Sequence, residues 1–343
     1  MSVTFDMVNG PAVFIMPHWS KEGTQMERDW LNATLDSIKA QTDSNWKILI
    51  ADGNSPSESA KEYLRQLVKE FNGKLEVIFM EQSDGPGHAR NVAIKHAYEA
   101  GYPFIVFLDA DDITGDRRVE MARKIFLEKP EVGVVYTTFE IIDEYSNTVP
   151  REKLSQSIVE ILESHESGNP PQGKDAWIKI ATETGYTNLT SATSVRTEIA
   201  YNNLFPPEKV SEDYYTWLVY SASGAEYAYT PIAPTRYRIP QSSAGSASRT
   251  REGGKHGFYT TKCRVDEAGF DKASEIAMKK GDITAERAKL LKVKFLLKEA
   301  ETMGREQDWE LAEMCYQKAV QLDAAIAAEQ LNAFGFENRP WVK

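Results

Sequence analysis

The chain has 343 residues, of which 41% are hydrophobic and 27% are charged, as is typical of a globular protein with one large or two ordinary domains. Its formal net charge of −11 argues against an extensive nucleic-acid-binding surface, and no apolar run approaches the roughly 20 residues that span a bilayer. The first residues lack the features of a signal peptide, and Cys263 and Cys315 have no metal-type spacing, so we expect free thiols and a cytoplasmic location.

The first third of the chain alternates apolar runs with amphipathic segments. Continuous apolar runs predict buried strands, and apolar residues three or four positions apart predict helices. The predicted strands are 12–16, 46–51, 75–81 and 104–110, and the predicted helices are 27–41, a helix with Ser55 as its N-cap, and 89–101. This alternation predicts parallel β-α-β units in a doubly wound sheet, an α/β fold.

Ligands of such sheets bind beyond the carboxyl ends of the strands. The segments expected on this rim are 17–22, 52–55, 85–91 and 109–112.

The remainder of the chain is less regular. Residues 133–143 and 190–196 read as strands, 225–239 as a strand or hairpin edge, and 176–184 and the segment after Ser211 as helices. Residues 144–176 are polar and variable in character, with a loop marked at 169–171, and 242–257 form a basic loop of small residues. From about residue 260 the pattern is helical, with amphipathic segments at 284–303 and 308–334.

Three carboxylates lie at the end of the fourth predicted strand: Asp109, Asp111 and Asp112. Like charges this close repel one another unless something positive lies among them, so we expect a divalent cation. The alternative is an acid-rich helix N-terminus, since a helical pattern follows.

Five motifs, taken in order, resemble the family 2 glycosyltransferases of the GT-A fold over roughly residues 12–240. They are VFIMPHWSKEG, LDSIKAQTDSNWKILIADGNSPSES, GPGHARNVAIKHA, the DXD motif FLDADD, and SEDYYTWL. The resemblance implies a GT-A domain, with a Rossmann-like, mostly parallel sheet, over 1–258. Its nucleotide-binding half would cover about 1–115 and its acceptor half about 116–258, and a C-terminal helical region would follow over 259–343.

The resemblance also implies roles for particular residues. Asp213 would be the catalytic base, Glu212 would orient either Asp213 or the acceptor, and Asp111 would be the first choice for a direct ligand of Mn²⁺ or Mg²⁺. The residues implied in nucleotide-sugar binding are Pro17, Trp19, Glu22, Asp52, Arg90, Asp109, Arg251 and Lys255, and those implied in metal binding are Asp109, Asp111 and His256. This chain departs from the family at Ala51, where the family has a second acid beside Asp52.

Each of these assignments has a simpler alternative. Ser211 to Asp213 would also serve as a helix cap, the residues after Asp52 as an ordinary turn, and the basic loop as a solvated surface.

The resemblance implies a metal-dependent, inverting glycosyltransferase that uses a nucleotide sugar, with a UDP-sugar as the expected donor. A sugar-phosphate nucleotidyltransferase and a non-catalytic nucleotide-sugar-binding module with a helical interaction tail are the alternatives. The expected acceptor is a saccharide, while lipid-linked sugar, protein and nucleic acid remain open, as does a retaining mechanism. The C-terminal helices are expected to cover the core or to form a dimer or partner surface.

Overall fold

The computed structural model describes residues 3–82, 84–241 and 254–342. Within them, seven strands form one sheet in the order β3-β2-β1-β4-β6-β5-β7. The strands are β1 Ala12–His18, β2 Trp46–Asp52, β3 Leu75–Phe79, β4 Phe104–Phe107, β5 Val132–Ile142, β6 Thr193–Arg196 and β7 Glu226–Arg238. Only β6 runs antiparallel to its neighbours, so the predicted mostly parallel α/β sheet is confirmed.

Helices lie on both faces of this sheet and continue beyond it. They are α1 Gln25–Lys39, α2 Glu58–Glu70, α3 Pro86–Glu99, α4 Arg118–Glu128, α5 Gln156–Glu166, α6 Ala176–Lys179, α7 Thr197–Asn202, α8 Glu212–Ala222, α9 Gly254–Lys280, α10 Ala285–Arg305, α11 Trp309–Leu322 and α12 Ala324–Phe334. The α6 helix continues as a π-helical turn over Ile180–Thr184. None of the described helices is both long and apolar enough to cross a membrane.

The apolar runs of the sequence become strands that are buried on both faces. Successive side chains of a strand point to opposite faces, so Val13 and Ile15 join one core while Phe14 and Met16 join the other. Helices α1, α2 and α4 cover the second core, and α3, α6 and α8 cover the first. The sheet is thereby held between two layers, with its carboxyl ends free to form a rim.

The C-terminal helices pack onto the first core. Phe270 of α9 lies 5.8 Å from Trp177 between ring centroids, and it stacks on Phe295 of α10 at 4.9 Å. The expectation that these helices cover the core is therefore met. Helix α9 runs through the boundary predicted between residues 258 and 259, and the division into two regions stays a prediction.

Several local expectations differ from the structure. The polar segment 144–176, in which the sequence marked only a loop at 169–171, contains α5, because Ile158, Ile161 and Leu162 pack with Phe139 in a third apolar cluster. The amphipathic segment 308–334 is two helices, since Asp323 ends α11 and its side chain caps α12.

The basic loop predicted over 242–257 also ends earlier than expected. Residues 254–257 already belong to α9, and 242–253 lie outside the described residues.

Candidate active site

The carboxyl ends of β1, β2 and β4 bring the predicted rim residues to one edge of the sheet. Pro17 pairs with Ala51 within the sheet, and the next residue, His18, pairs with Asp52. After the end of β1, Trp19 is half exposed. Glu22 is also exposed, in the loop before α1. The first motif therefore supplies an open aromatic ring and a carboxylate to the rim.

Asp52 is buried in a hydrogen-bonded network rather than open at the rim. Its side chain is 0% exposed. Its Oδ2 accepts hydrogen bonds from His18 Nδ1 at 2.8 Å and from Ser55 Oγ at 2.5 Å, and its Oδ1 accepts one from the backbone N–H of Ser55 at 2.9 Å. Ser55 is thus not the N-cap of α2, a position that Ser57 takes. The direct nucleotide contact predicted for Asp52 stays a prediction, and the structure shows it orienting His18.

Because of these bonds, the contribution of the Asp52 charge to the free energy of unfolding can be measured. Burial alone would raise the pKa of Asp52, but hydrogen bonds from His18 and Ser55 lower it below its ordinary value of 3.8. Asp52→Asn replaces one acceptor oxygen with a donor, so we expect a loss of about 2 kcal/mol in the free energy of unfolding at pH 7. The carboxylate contributes its full stability above pH ~4 and loses it as pH falls through the folded-state pKa, so the deficit should shrink in acid.

Urea unfolding of both proteins at pH 7 and in acid would measure this deficit. Asp36→Asn, at an exposed residue of α1, is the matched control and should cost less than about 0.5 kcal/mol at either pH. A deficit that stayed constant with pH would mean that the charge of Asp52 contributes nothing.

Arg90 of α3 joins the two acidic segments of the site. Its guanidinium is 3% exposed and lies 2.7 Å from Asp109 Oδ1 and 3.1 Å from Glu212 Oε1. Burial opposes its charge, yet Asp109 and Glu212 raise the pKa of Arg90 above its ordinary value. The end of β4 and the start of α8 are therefore held together by one cation, although 103 positions separate the two acids in the sequence.

The other two acids of the DXD segment differ in their surroundings. Asp112 is 0% exposed and its Oδ1 accepts a hydrogen bond from the backbone N–H of Arg238 at 2.7 Å, so it anchors the end of β7. The half-buried Asp111 has no side-chain hydrogen bond or ion pair with another described residue. Burial and repulsion from Asp109 raise the pKa of Asp111 to about 6. A cation would relieve this unfavourable charge, so Asp111 and Asp109 fit a divalent metal ion.

Glu212 and Asp213 point to different partners from the first turn of α8. Burial and repulsion from Asp213 raise the pKa of Glu212 to about 7, although Arg90 opposes the shift. Asp213 Oδ2 accepts hydrogen bonds from the hydroxyl of Tyr186 and, at 3.3 Å, from that of Thr190. Burial, followed by the charge of Asp213, raises the pKa of Tyr186 well above its usual value, so the phenol stays protonated and donates.

The predicted basic residues are not brought to these acids. Lys255 Nζ lies 3.3 Å from Glu306 and His256 Nδ1 lies 2.8 Å from Asp308, both in the C-terminal helical region. Residues 254–262 are helical and not an open loop, which directs these side chains toward α10 and α11. Within the described residues no three His, Cys, Asp or Glu side chains are grouped to hold a metal ion. Arg251 lies outside the described residues.

Contributors to the site that escaped prediction include His18, Tyr186 and Ser191. The Oγ of Ser191 accepts a hydrogen bond from the backbone N–H of Asp109 at 2.9 Å, and the other two bind Asp52 and Asp213. Each partner is at least 27 positions away, so no local pattern marks these residues. Of the three, only His18 could have been found from the sequence, because it lies at the end of a predicted strand on the rim.

The model of a family described as glycosyl transferase family 2 matches residues 23–190, which include the DXD segment and Arg90. Residues 23–190 belong to glycosyl transferase family 2. The resemblance inferred from the five motifs is thereby confirmed. The matched segment contains the predicted site residues Asp52, Arg90, Asp109 and Asp111. Glu212 and Asp213 lie beyond the matched segment.

A curated relative agrees with this membership. The chain is 32% identical over 133 residues to the Escherichia coli UDP-Glc:alpha-D-GlcNAc-diphosphoundecaprenol beta-1,3-glucosyltransferase WfgD, a match that covers 38% of this chain and 47% of WfgD. This chain therefore spans about half the length of that curated relative.

Two solved structures share the fold over nearly the whole chain. S. aureus TarS 1-349 in complex with UDP-GlcNAc matches with a TM-score of 0.53 at 15% identity, covering 95% of this chain and 92% of TarS 1-349. The mannosyltransferase PcManGT from Pyrobaculum calidifontis, in complex with GDP-Man and Mn²⁺, matches with a TM-score of 0.54 at 16% identity, covering 99% and 84%. The predicted GT-A fold is confirmed.

Proposed function

We propose that this protein is a metal-dependent, inverting glycosyltransferase that moves a sugar from a nucleotide sugar to an acceptor hydroxyl. The observation that carries the proposal is the ion-pair bridge through Arg90, which unites the DXD carboxylate Asp109 with Glu212. In this proposal the bridge joins the acids suited to a donor diphosphate to the first turn of α8, where Asp213 is an acid suited to activate an acceptor. Family membership supports the same assignment.

In the proposed reaction the acceptor oxygen attacks the anomeric carbon as the bond from that carbon to the diphosphate oxygen breaks. Asp213 takes the proton of the attacking hydroxyl, which is the work of a general base. The hydroxyls of Tyr186 and Thr190 hold the carboxylate in one orientation. Arg90 fixes Glu212 on the donor side, and a single displacement of this kind inverts the anomeric configuration.

Asp109 and Asp111 would hold the divalent cation. Carboxylate oxygens are the ligands that Mg²⁺ and Mn²⁺ prefer. Asp111 has a raised pKa, and no described residue competes for its side chain. A cation bound there supplies positive charge to the departing diphosphate. His256 is not part of this proposal, because its imidazole pairs with Asp308.

The proposed donor is a UDP-sugar and the proposed acceptor a saccharide. WfgD is named for UDP-Glc, and the TarS structure contains UDP-GlcNAc. The PcManGT structure contains GDP-Man, so a guanine nucleotide is tested alongside the uridine nucleotides. The exposed ring of Trp19, beside the end of β1, offers a surface on which a base could stack.

A thermal-shift screen with UDP, GDP, UDP-glucose and UDP-GlcNAc, each with and without Mn²⁺, tests this function. A ligand at 100 times its Kd should stabilise the fold by about 2.7 kcal/mol, and we expect UDP ligands to do so only with Mn²⁺. Release of UDP from the stabilising sugar nucleotide then tests for turnover. Stabilisation by none of them would contradict the proposal. Release of pyrophosphate from UTP and a sugar phosphate would favour the nucleotidyltransferase alternative.

A further inference from the structure

Helix α8 begins in an unusual way, with Ser211 in the left-handed region at φ 59° and ψ 17°. Residues at the start of a helix are normally extended, and a serine there accepts a hydrogen bond from the backbone two or three residues later. Ser211 makes no such bond. Its hydroxyl donates instead to Asp266 Oδ1 of α9 at 2.5 Å. The expected capping role of Ser211 is therefore replaced by a contact with the C-terminal helices.

Asp266 belongs to a buried group of charges that the proposed reaction does not use. Its carboxylate is 0% exposed and contacts Lys262 Nζ, which lies 3.7 Å from Glu299 of α10. The Lys262 ammonium also lies 5.6 Å from the ring centroid of Tyr214, in the first turn of α8. Buried charges are costly unless they are paired, so losing one member would leave another uncompensated.

The backbones of α8 and α9 also approach each other closely. A Cβ added at Gly269 would lie 2.8 Å from Cα of Tyr215, closer than real side chains tolerate. The start of α8 is thus fixed both by packing at Gly269 and by the bond from Ser211. Both contacts come from α9, which lies outside the matched family segment.

We infer that Asp266, held by Lys262, is a positioning residue for the first turn of α8. By binding the Ser211 hydroxyl it keeps that residue left-handed, and Ser211 sets the direction of the two residues that follow it. In this arrangement Glu212 reaches Arg90 while Asp213 reaches Tyr186. The inference rests on the proposed function insofar as Asp213 acts as the base. It makes the C-terminal helices part of the support of the site.

Two substitutions at Ser211 distinguish the effect of its left-handed backbone on kcat from the effect of a general loss of stability. Glycine adopts left-handed backbone readily, whereas alanine disfavours it and also lacks the hydroxyl. We expect Ser211→Ala to lower the kcat for hydrolysis of UDP-glucose or UDP-GlcNAc at least tenfold and to change the Kd of UDP with Mn²⁺ less than threefold. Ser211→Gly should recover most of the lost kcat, because its backbone needs no side chain to hold it.

A second pair of variants tests Asp266 itself. Asp266→Asn keeps an oxygen that can accept from Ser211 and should keep kcat within about fivefold, whereas Asp266→Ala should reproduce the loss seen with Ser211→Ala. Asp271→Asn, at an exposed residue of the same helix, is the matched control and should leave kcat unchanged. Should Asp266→Ala fail to fold, the Ser211 pair decides the question.

Hydrogen exchange of the amides of residues 212–216 gives a readout that needs no turnover. Exchange should quicken in Ser211→Ala and return toward wild type in Ser211→Gly. Equal exchange in all three proteins, or equal kcat losses in Ser211→Ala and Ser211→Gly, would overturn the inference. If wild-type protein turned over no sugar nucleotide but the exchange pattern held, the proposed function would fail while the positioning of the α8 turn stood.

Discussion

Asp213→Asn is expected to lower the turnover of sugar transfer by roughly 10²- to 10⁴-fold, the range that a positioned general base contributes. Asparagine has nearly the same shape, and its oxygen can still accept from the hydroxyls of Tyr186 and Thr190. Its amide cannot take a proton from the acceptor. The variant should therefore fold normally and bind nucleotide, and lose only the chemical step.

The measurement is the steady-state rate of UDP release from the sugar nucleotide identified by thermal shift, with and without candidate saccharide acceptors. The Kd of UDP with Mn²⁺, measured on the same preparation, should stay within about threefold of wild type, because Asp213 is bonded to Tyr186 and Thr190 and is not one of the proposed metal ligands. Asp116→Asn, an exposed acid near the DXD segment, is the matched control. A loss of less than threefold in Asp213→Asn would assign the base to another group.

Asp111→Asn is expected to abolish the part of nucleotide binding that depends on Mn²⁺. The neutral amide removes a charged ligand from the proposed cation, which in the proposed function binds together with the diphosphate. At a UDP concentration that stabilises the wild type by about 2.7 kcal/mol with Mn²⁺, the variant should show only the smaller effect of UDP alone. Turnover should fall with it, because the departing diphosphate loses its counter-charge.

Thermal shift and calorimetry with UDP, with and without Mn²⁺, would separate these contributions. Without ligands, Asp111→Asn should be no less stable than wild type, because burial and repulsion from Asp109 already raise the pKa of Asp111 and make its charge unfavourable. Asp112→Asn is a contrasting variant, because Asp112 is not a proposed metal ligand and instead accepts a hydrogen bond from the backbone N–H of Arg238 inside the fold. Unchanged Mn²⁺ dependence in Asp111→Asn would move the proposed metal away from the DXD segment.

Much of the fold could be predicted from local patterns. The apolar runs at 12–16, 46–51 and 104–110 are strands because a central parallel strand needs apolar side chains on both faces. The spacing between them leaves room for crossover helices, and the carboxyl ends of parallel strands must meet at one edge. For these reasons the rim, and the place of Asp109 and Asp111 on it, followed from the order of the residues.

Prediction failed where one segment depended on another for its conformation. Ser55 has the local features of a helix cap, yet its hydroxyl binds Asp52, and Ser211 likewise gives its hydroxyl to Asp266. His256 lies in a glycine-rich basic stretch, but α9 turns it toward Asp308. Ser55 had two possible local partners, whereas Asp266 and Asp308 are 55 and 52 positions away from Ser211 and His256, beyond the reach of any local pattern.

The sequence by itself determined the order of strands and helices, the family and the acids at the ends of the strands, because these follow from local periodicity and short motifs. Tertiary structure alone decided which side chains those acids meet: Arg90 between Asp109 and Glu212, and Tyr186 on Asp213. The physical reason is that a hydrogen bond or ion pair depends on distances of about 3 Å. Such distances between residues far apart in the chain arise only when the whole sheet and its covering helices have packed.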